Sequence, residues 1–210
     1  MEEKTYDTTT RQVYEFETFQ KIPRISRKCI VTEKIDGTNA QILIGDNGDF
    51  LVGSRNRWIT PGKKTDNSGF ATWAYDHKEE LMLLGPGRHY GEWWGQGIQR
   101  GYGLTEKRFS LFNTARWTVT KPPTCCGIVP VLYDGDFSTE AVDGVLFGLK
   151  SVGSVASPGF ADPEGVVIYH AASRQLFKKT LDNDSLPKSL TVGAPLAISA
   201  TSDQPVVSVT

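Results

Sequence analysis

From residue 29 onward the chain alternates apolar and polar positions with a period of two. "CIVTEKI" (29–35) and "TNAQILIG" (38–45) read as strands, and "GDNGDF" supplies an Asn47-Gly48 hairpin turn into "FLVGSR" (50–55). After a polar loop, "WITPGKKTDNS", the period lengthens. Phe70, Trp73, Ala74, His77, Leu81 and Leu84 fall at helical spacing, which predicts a helix with Asn67 or Ser68 as N-cap and Gly85 as its stop. "RHYGEWW" (88–94) follows, then a glycine-rich connector to Gly103 and the strand-like "RFSLFNTARW" (108–117). "GIVPVLY" (127–133) reads as a further strand. Ser138 can cap a short helix whose Val142, Val145, Leu146 and Leu149 share a face. "EGVVIYH" (164–170) and "RQLFKKTL" (174–181) look like a closing strand pair. Strands dominate and two helices interrupt them, so the expected class is α+β with an antiparallel sheet core.

Composition narrows the function classes. With 39% hydrophobic and 22% charged residues the chain reads as soluble and globular, and 210 residues suit one substantial domain. That domain is expected over 1–187, with a lead-in at 1–28 and a Ser/Thr/Val/Pro-rich tail at 188–210. No run of 18 apolar residues suggests a membrane helix, and the acidic, polar start does not read as a secretory signal, so a cytoplasmic protein is expected. A net charge of −1 gives no global basic field. Any phosphate-rich partner would have to be held by a local cluster. Cys29, Cys125 and Cys126 are odd in number and form no C-x-x-C, which points to neither a disulfide framework nor a zinc site. There is no P-loop, the glycines at 91, 95, 97, 101 and 103 read as turn residues, and His77, His89 and His170 show no ligand pairing.

Within "VTEKIDGTNAQI" (31–42) the chemistry is unusual for a strand. Alternation sends Val31, Glu33, Ile35 and Gly37 one way and Thr32, Lys34 and Asp36 the other, so an amine and a carboxylate share a face beside a glycine that could admit a ligand. A free lysine titrates near about 10.4, so a nucleophilic role for Lys34 needs burial or a neighbouring cation. The plain alternative is a Lys–Asp surface pair.

"EKIDGTNA" resembles motif I of the covalent nucleotidyltransferases, the superfamily of ATP-dependent DNA ligases, RNA ligases and mRNA capping enzymes. It looks most like the phage-type RNA ligases that seal nicks. Further motifs follow in order: "GSRNRW" is similar to motif Ia, "HYGEWW" to motif III, "KRFSLFN" to motif IIIa, "EGVVIYH" to motif IV, and "QLFKKTL" falls where motif V belongs. Together they span residues 33 to 179.

The resemblance implies an ATP-grasp-like nucleotidyltransferase core of antiparallel sheets flanked by a few helices, and a set of roles. Lys34 would attack the α-phosphate of ATP to form lysyl-AMP. Glu33 would accept from the adenine amine, Arg55 would bind phosphate or ribose oxygens, Glu92 ribose hydroxyls, and Phe109 would stack on adenine. Glu164 would help hold Mg²⁺ or Mn²⁺. Lys178 would neutralise the α-phosphate, and Asp36 would orient Lys34 or take its proton. Family motif V separates its two lysines by one residue, whereas Lys178 and Lys179 are adjacent, so only one can face the nucleotide; Lys178 is favoured. Only some 30 residues follow motif V, which leaves no room for the OB-fold or helical domain of larger relatives. Substrate capture would then fall to the core, the tail or a protein partner.

The expected activity is an ATP-dependent polynucleotide ligase, monomeric, acting on RNA in preference to DNA. Asn39, Arg57 and Arg100, with Arg24, Arg27, Lys63 and Lys64, are the candidate nucleic-acid contacts. A GTP-using capping-type guanylyltransferase and a non-catalytic nucleic-acid-binding module are the alternatives.

Overall fold

The computed structural model describes residues 15–62, 64–182 and 184. Two sheets organise them. The first has the order β7-β1-β8-β9, built from β1 (Lys28–Lys34), β7 (Val131–Asp136), β8 (Gly165–His170) and β9 (Gln175–Thr180), all antiparallel. The second has the order β3-β2-β4-β5-β6, from β2 (Thr38–Ile44), β3 (Phe50–Ser54), β4 (Gly87–Gly95), β5 (Lys107–Leu111) and β6 (Cys126–Ile128). It is antiparallel except for β5 and β6, which run parallel. The class is α+β, with mainly antiparallel sheets flanked by a few helices, as expected.

Each sheet buries one face, as period-two alternation requires. In the first, Cys29, Val31, Val166 and Ile168 pack against Val142, Leu146 and Leu149 of α4 (Thr139–Val152). Ser138 starts that helix by accepting the Ala141 N–H at 3.1 Å, as its sequence position predicts. In the second, Ala40, Ile42, Val52, Trp93, Phe109 and Leu111 meet an aromatic cluster from the helical layer, centred on Phe70 and Trp73. A smaller cluster of Ile35, Trp94, Tyr102 and Val129 ties the ends of the two sheets together. The β2–β3 hairpin turns at Asn47-Gly48, with Gly48 at φ 84 and Asn47 Oδ1 accepting the Asp49 N–H.

Four local expectations need correction. The single helix expected over 70–84 is two, α1 (Phe70–Asp76) and α2 (Lys78–Met82), broken at His77, whose ring bonds the Trp73 carbonyl at 2.8 Å. Neither Asn67 nor Ser68 caps it. Gly69 takes the N-cap position in a left-handed conformation, and Asp66 captures the Thr72 N–H at 2.8 Å. The strand expected over 108–117 ends at Leu111, because Asn113 caps a helix, α3 (Thr114–Val119), by accepting the Arg116 N–H at 3.1 Å. "GIVPVLY" is two strands in different sheets, and Pro130, which has no N–H to give a ladder, lies between them. No helix among the described residues is long and apolar enough to cross a membrane. The tail at 188–210 and Lys63 lie outside the described residues.

Candidate active site

The site forms where the end of β1 meets β4 of the other sheet. Lys34 closes β1, in register with Gly165 of β8, so Glu164, one residue before β8, falls beside it. Lys34 Nζ donates to Glu164 Oε2 at 2.5 Å, with the two side chains 20% and 8% exposed. A charged pair this sheltered is short and directional. Glu164, expected as a metal ligand, is the carboxylate that holds the Lys34 amine.

Asp36, expected to orient Lys34, is engaged elsewhere. Its carboxylate accepts from Arg100 Nε at 3.3 Å, and its N–H donates to the Tyr102 hydroxyl at 2.8 Å. Arg100 continues to Asp162 through the carbonyl oxygen at 3.0 Å and the carboxylate at 2.6 Å. Arg100 is thus a brace between the two connectors that follow β1 and precede β8, and its guanidinium is taken up there rather than offered to nucleic acid.

Glu92 lies on β4 in register with Asn39 of β2. Its Oε1 accepts the Gly37 N–H and its Oε2 the Asn39 side-chain amide, both at 3.1 Å. Burial pushes its carboxyl up to about 7, against the pull of the Lys34 charge and the Gly37 N–H; the Glu164 and Asp36 charges add to the rise. Asn39, expected as a nucleic-acid contact, is exposed and gives its side-chain amide to Glu92. Gly37 has a packing reason rather than the ligand-admitting one expected: a Cβ there would collide with the Trp93 carbonyl oxygen and Trp94 Cβ. Glycine lets the turn after β1 close onto β4.

Two residues assigned to adenine are buried among protein partners. Glu33 points to the α4 side of β1 and is 1% exposed. Its carboxylate accepts from Ser154 Oγ at 2.5 Å and from the Val155 and Ala156 N–H groups at 2.8 Å each. It fixes the turn after α4, and these groups take three of its roughly four acceptor sites. Phe109 is 0% exposed, packed at 5.1 Å centroid distance on Phe70 and lying under Gly91. It is a core residue.

The neighbouring aromatic was overlooked. Phe112 ends "KRFSLF", and its N–H donates to the Tyr90 carbonyl at 3.0 Å, which extends the β4–β5 register so that Phe112 faces Tyr90. It lies on the Glu92 face and is 41% exposed. The signal was available: two phenylalanines three apart on a strand point opposite ways.

The motif V lysines divide by register. Lys178 pairs with Val167, which pairs with Thr32, on the face that carries Lys34. Lys179 pairs with Val166 on the α4 side, where its Nζ meets Asp143 at 2.5 Å. Arg55 and Arg57 are exposed in the bend after β3, and Arg24, Arg27 and Lys64 are exposed as well.

The RNA ligase family model matches residues 27–181, so the chain belongs to the RNA ligase family. No curated protein sequence matches the chain. Among solved structures, the fold is similar to Naegleria gruberi RNA ligase in several mutant forms. A ligand-free form superposes with a TM-score of 0.56 at 21% identity, over 74% of this chain and 50% of that one. A form holding ATP and Mn gives 0.54 at 19% identity, over 74% and 50%. A form with AMP and Mn gives 0.56 at 21%, over 73% and 49%. The chain spans about half the length of these structures.

Proposed function

We propose that this chain is the nucleotidyl-transfer core of an ATP-dependent RNA ligase, with Lys34 as its nucleophile. The observation that supports this most is one sheltered amine held on Glu164 at the end of β1, close enough to the buried Glu92 for its charge to pull on that carboxyl. Lys34 Nζ attacks the α-phosphorus of ATP; an N–P bond forms, the bond to pyrophosphate breaks, and the amine releases a proton. The AMP then passes to a 5′-phosphate, restoring Lys34. A 3′-OH attacks that phosphate, forming the phosphodiester and releasing AMP.

The side chains divide this work by position. Glu92, held by Gly37 and Asn39, accepts ribose hydroxyls through its remaining lone pairs. Phe112 offers the exposed aromatic face for adenine, the role first given to Phe109. Lys178, on the Lys34 face, balances charge that builds on the α-phosphate. Arg55 supplies a fork for phosphate or ribose oxygens. Asp36 is held by Arg100 and keeps the turn after Lys34 in place.

The donor set fits a nucleotide-bound divalent cation, Mg²⁺ or Mn²⁺. No group of three metal-ligating side chains occurs among the described residues, and Glu164 presents a hard carboxylate beside Lys34. Mg²⁺ is commonly held by one or two carboxylates and substrate phosphates. Glu164 would be the protein's contribution, and the cation would supply positive charge to the phosphate oxygens.

Incubation with ATP labelled at the α-phosphate and a divalent cation tests the proposal. Covalent label on the wild-type chain, absent from Lys34→Ala and not displaced by excess GTP, is expected. Label that persists in Lys34→Ala removes Lys34 as nucleophile, GTP-preferred label supports a guanylyltransferase, and RNA binding without label supports a non-catalytic module.

A further inference from the structure

The face of the second sheet that carries Glu92 continues beyond the nucleotide site as an exposed belt of aromatic and cationic side chains. Strand register lays it out in rows. Asn39 and Glu92 form one row, Gln41 and Tyr90 the next, and Leu43 and Arg88 the next. Two residues along a strand advance roughly 7 Å, so Arg88 stands about 14 Å from Glu92. Tyr90 is 52% exposed between them.

Trp58 joins this face from the edge. The chain turns back after β3, with the Ser54 N–H donating to the Arg57 carbonyl and the Ile59 N–H to the Val52 carbonyl, each at 2.9 Å. Trp58 thereby bridges to Gly53 and Ile59 turns into the core. The guanidinium of Arg88 lies over the Trp58 ring, 5.2 Å from its centroid, and donates to Gln41 Oε1 at 2.6 Å. Gly53 makes room for this: a Cβ there would run into the Gln41 side chain.

The belt has no packing reason to be apolar. Trp58 is 47% exposed, while Trp93, Trp94 and Trp117 are at most 3% exposed. None of the six ion pairs among the described residues uses Arg57 or Arg88, so both cations remain available to a phosphate chain. Planar stacking surfaces interleaved with guanidinium groups are what single-stranded nucleic acid requires, because every base has a face to stack and every nucleotide a phosphate.

We infer that the Trp58–Arg88–Tyr90 belt is a landing surface for a single-stranded RNA segment, which leads one end of the strand toward Lys34. The inference rests on the ligase reading for its direction, and on the belt's own chemistry for its occupant. Bases stack on Trp58 and Tyr90, and Arg57 and Arg88 meet phosphates. A protein ligand is the competing occupant of such a face.

The test separates binding from chemistry. The full chain is titrated with a fluorescein-labelled single-stranded RNA at low salt, following anisotropy and tryptophan emission, for the wild type, Trp58→Phe, Trp58→Ala and Arg88→Gln. Covalent labelling from ATP is measured on the same samples. The wild type should bind RNA and its emission should be quenched. Trp58→Ala and Arg88→Gln should each lose about tenfold or more in affinity while retaining ATP labelling. Trp58→Phe, which keeps a stacking ring and the edge packing, should retain most affinity but lose the quenching. Wild-type affinity in both Trp58→Ala and Arg88→Gln overturns the inference. So does a wild type that binds no RNA at low salt, which leaves the belt to a protein partner. Failure of ATP labelling with belt-dependent RNA binding intact strikes the ligase reading alone.

Discussion

The two sheets are built on the same alternation but use their faces differently. The second buries a dense aromatic core, with Phe70, Trp93 and Phe109 all at most 2% exposed, and keeps its opposite face half open, with Tyr90, Phe112 and Trp58 exposed on it. The first buries a thinner aliphatic layer under α4 and admits a carboxyl group into it: Glu33, 1% exposed, among Cys29, Val31 and Val166. Lys34, the proposed nucleophile, comes from this first sheet, at a strand end, while Glu92 comes from the second. On either sheet, alternation sends successive residues to opposite faces: Glu33 faces α4 while Lys34 faces Glu164. Residues one position apart in sequence can therefore have unrelated functions.

Substitutions at neighbouring positions should expose that alternation. The largest effect is expected at Lys34, where replacement by Ala or Arg should remove ATP-dependent labelling altogether. Lys178→Ala should slow adduct formation by roughly 10²–10³-fold if it meets charge building on the α-phosphate, measured in single-turnover assays. Lys179→Ala should change the rate little and cost at most about 1 kcal/mol of stability, since it forms a partly exposed pair with Asp143. Equal loss of rate in the two variants would erase the distinction drawn from strand register.

The two phenylalanines of "KRFSLF" offer a second contrast. Phe109→Ala should cost about 3–5 kcal/mol in urea denaturation, because it empties a fully enclosed site. Phe112→Ala should leave stability within about 1 kcal/mol but weaken ATP by roughly tenfold. The reverse pattern would return the adenine role to Phe109.

A smaller effect concerns pH. Glu92 holds its proton to about 7 in the folded chain, above the ordinary value of 4.5. Between those values the folded state binds more protons than the unfolded one, so stability falls as pH rises through this window and levels off above about 7. The drop, at most about 3 kcal/mol, should be absent in Glu92→Gln, which stays neutral throughout. Parallel pH curves for the two proteins would show that Glu92 is not the group responsible.

Much of the scaffold was legible because period-two alternation is local. The strands at 28–34, 38–44, 50–54, 165–170 and 175–180 follow directly from it, as does the helix that Ser138 starts. The charged residues of "EKIDGTNA", "HYGEWW" and "EGVVIYH" were legible in order through their resemblance to nucleotidyltransferase motifs. What escaped depended on partners far away in the chain. Glu33 is claimed by groups 121 to 123 residues on, and Arg100 by a carbonyl 62 residues on, which no short window contains. Phe109 took the adenine role from its motif resemblance, and because Phe109, Leu111 and Phe112 are all apolar, alternation alone did not say that Phe109 lies on the buried face. The helix α3 was hidden by "TARWTV", whose β-branched and aromatic residues also suit a strand, and only the cap at Asn113 separates the two.

The most direct measurement is mass spectrometry of the chain after reaction with ATP and Mg²⁺ or Mn²⁺, followed by proteolysis at low temperature to locate any adduct. One adenylyl group on the peptide containing Lys34, lost on addition of pyrophosphate, is the predicted result. An unmodified Lys34 with the adenylyl group on any other residue would contradict the assignment of this amine as the nucleophile.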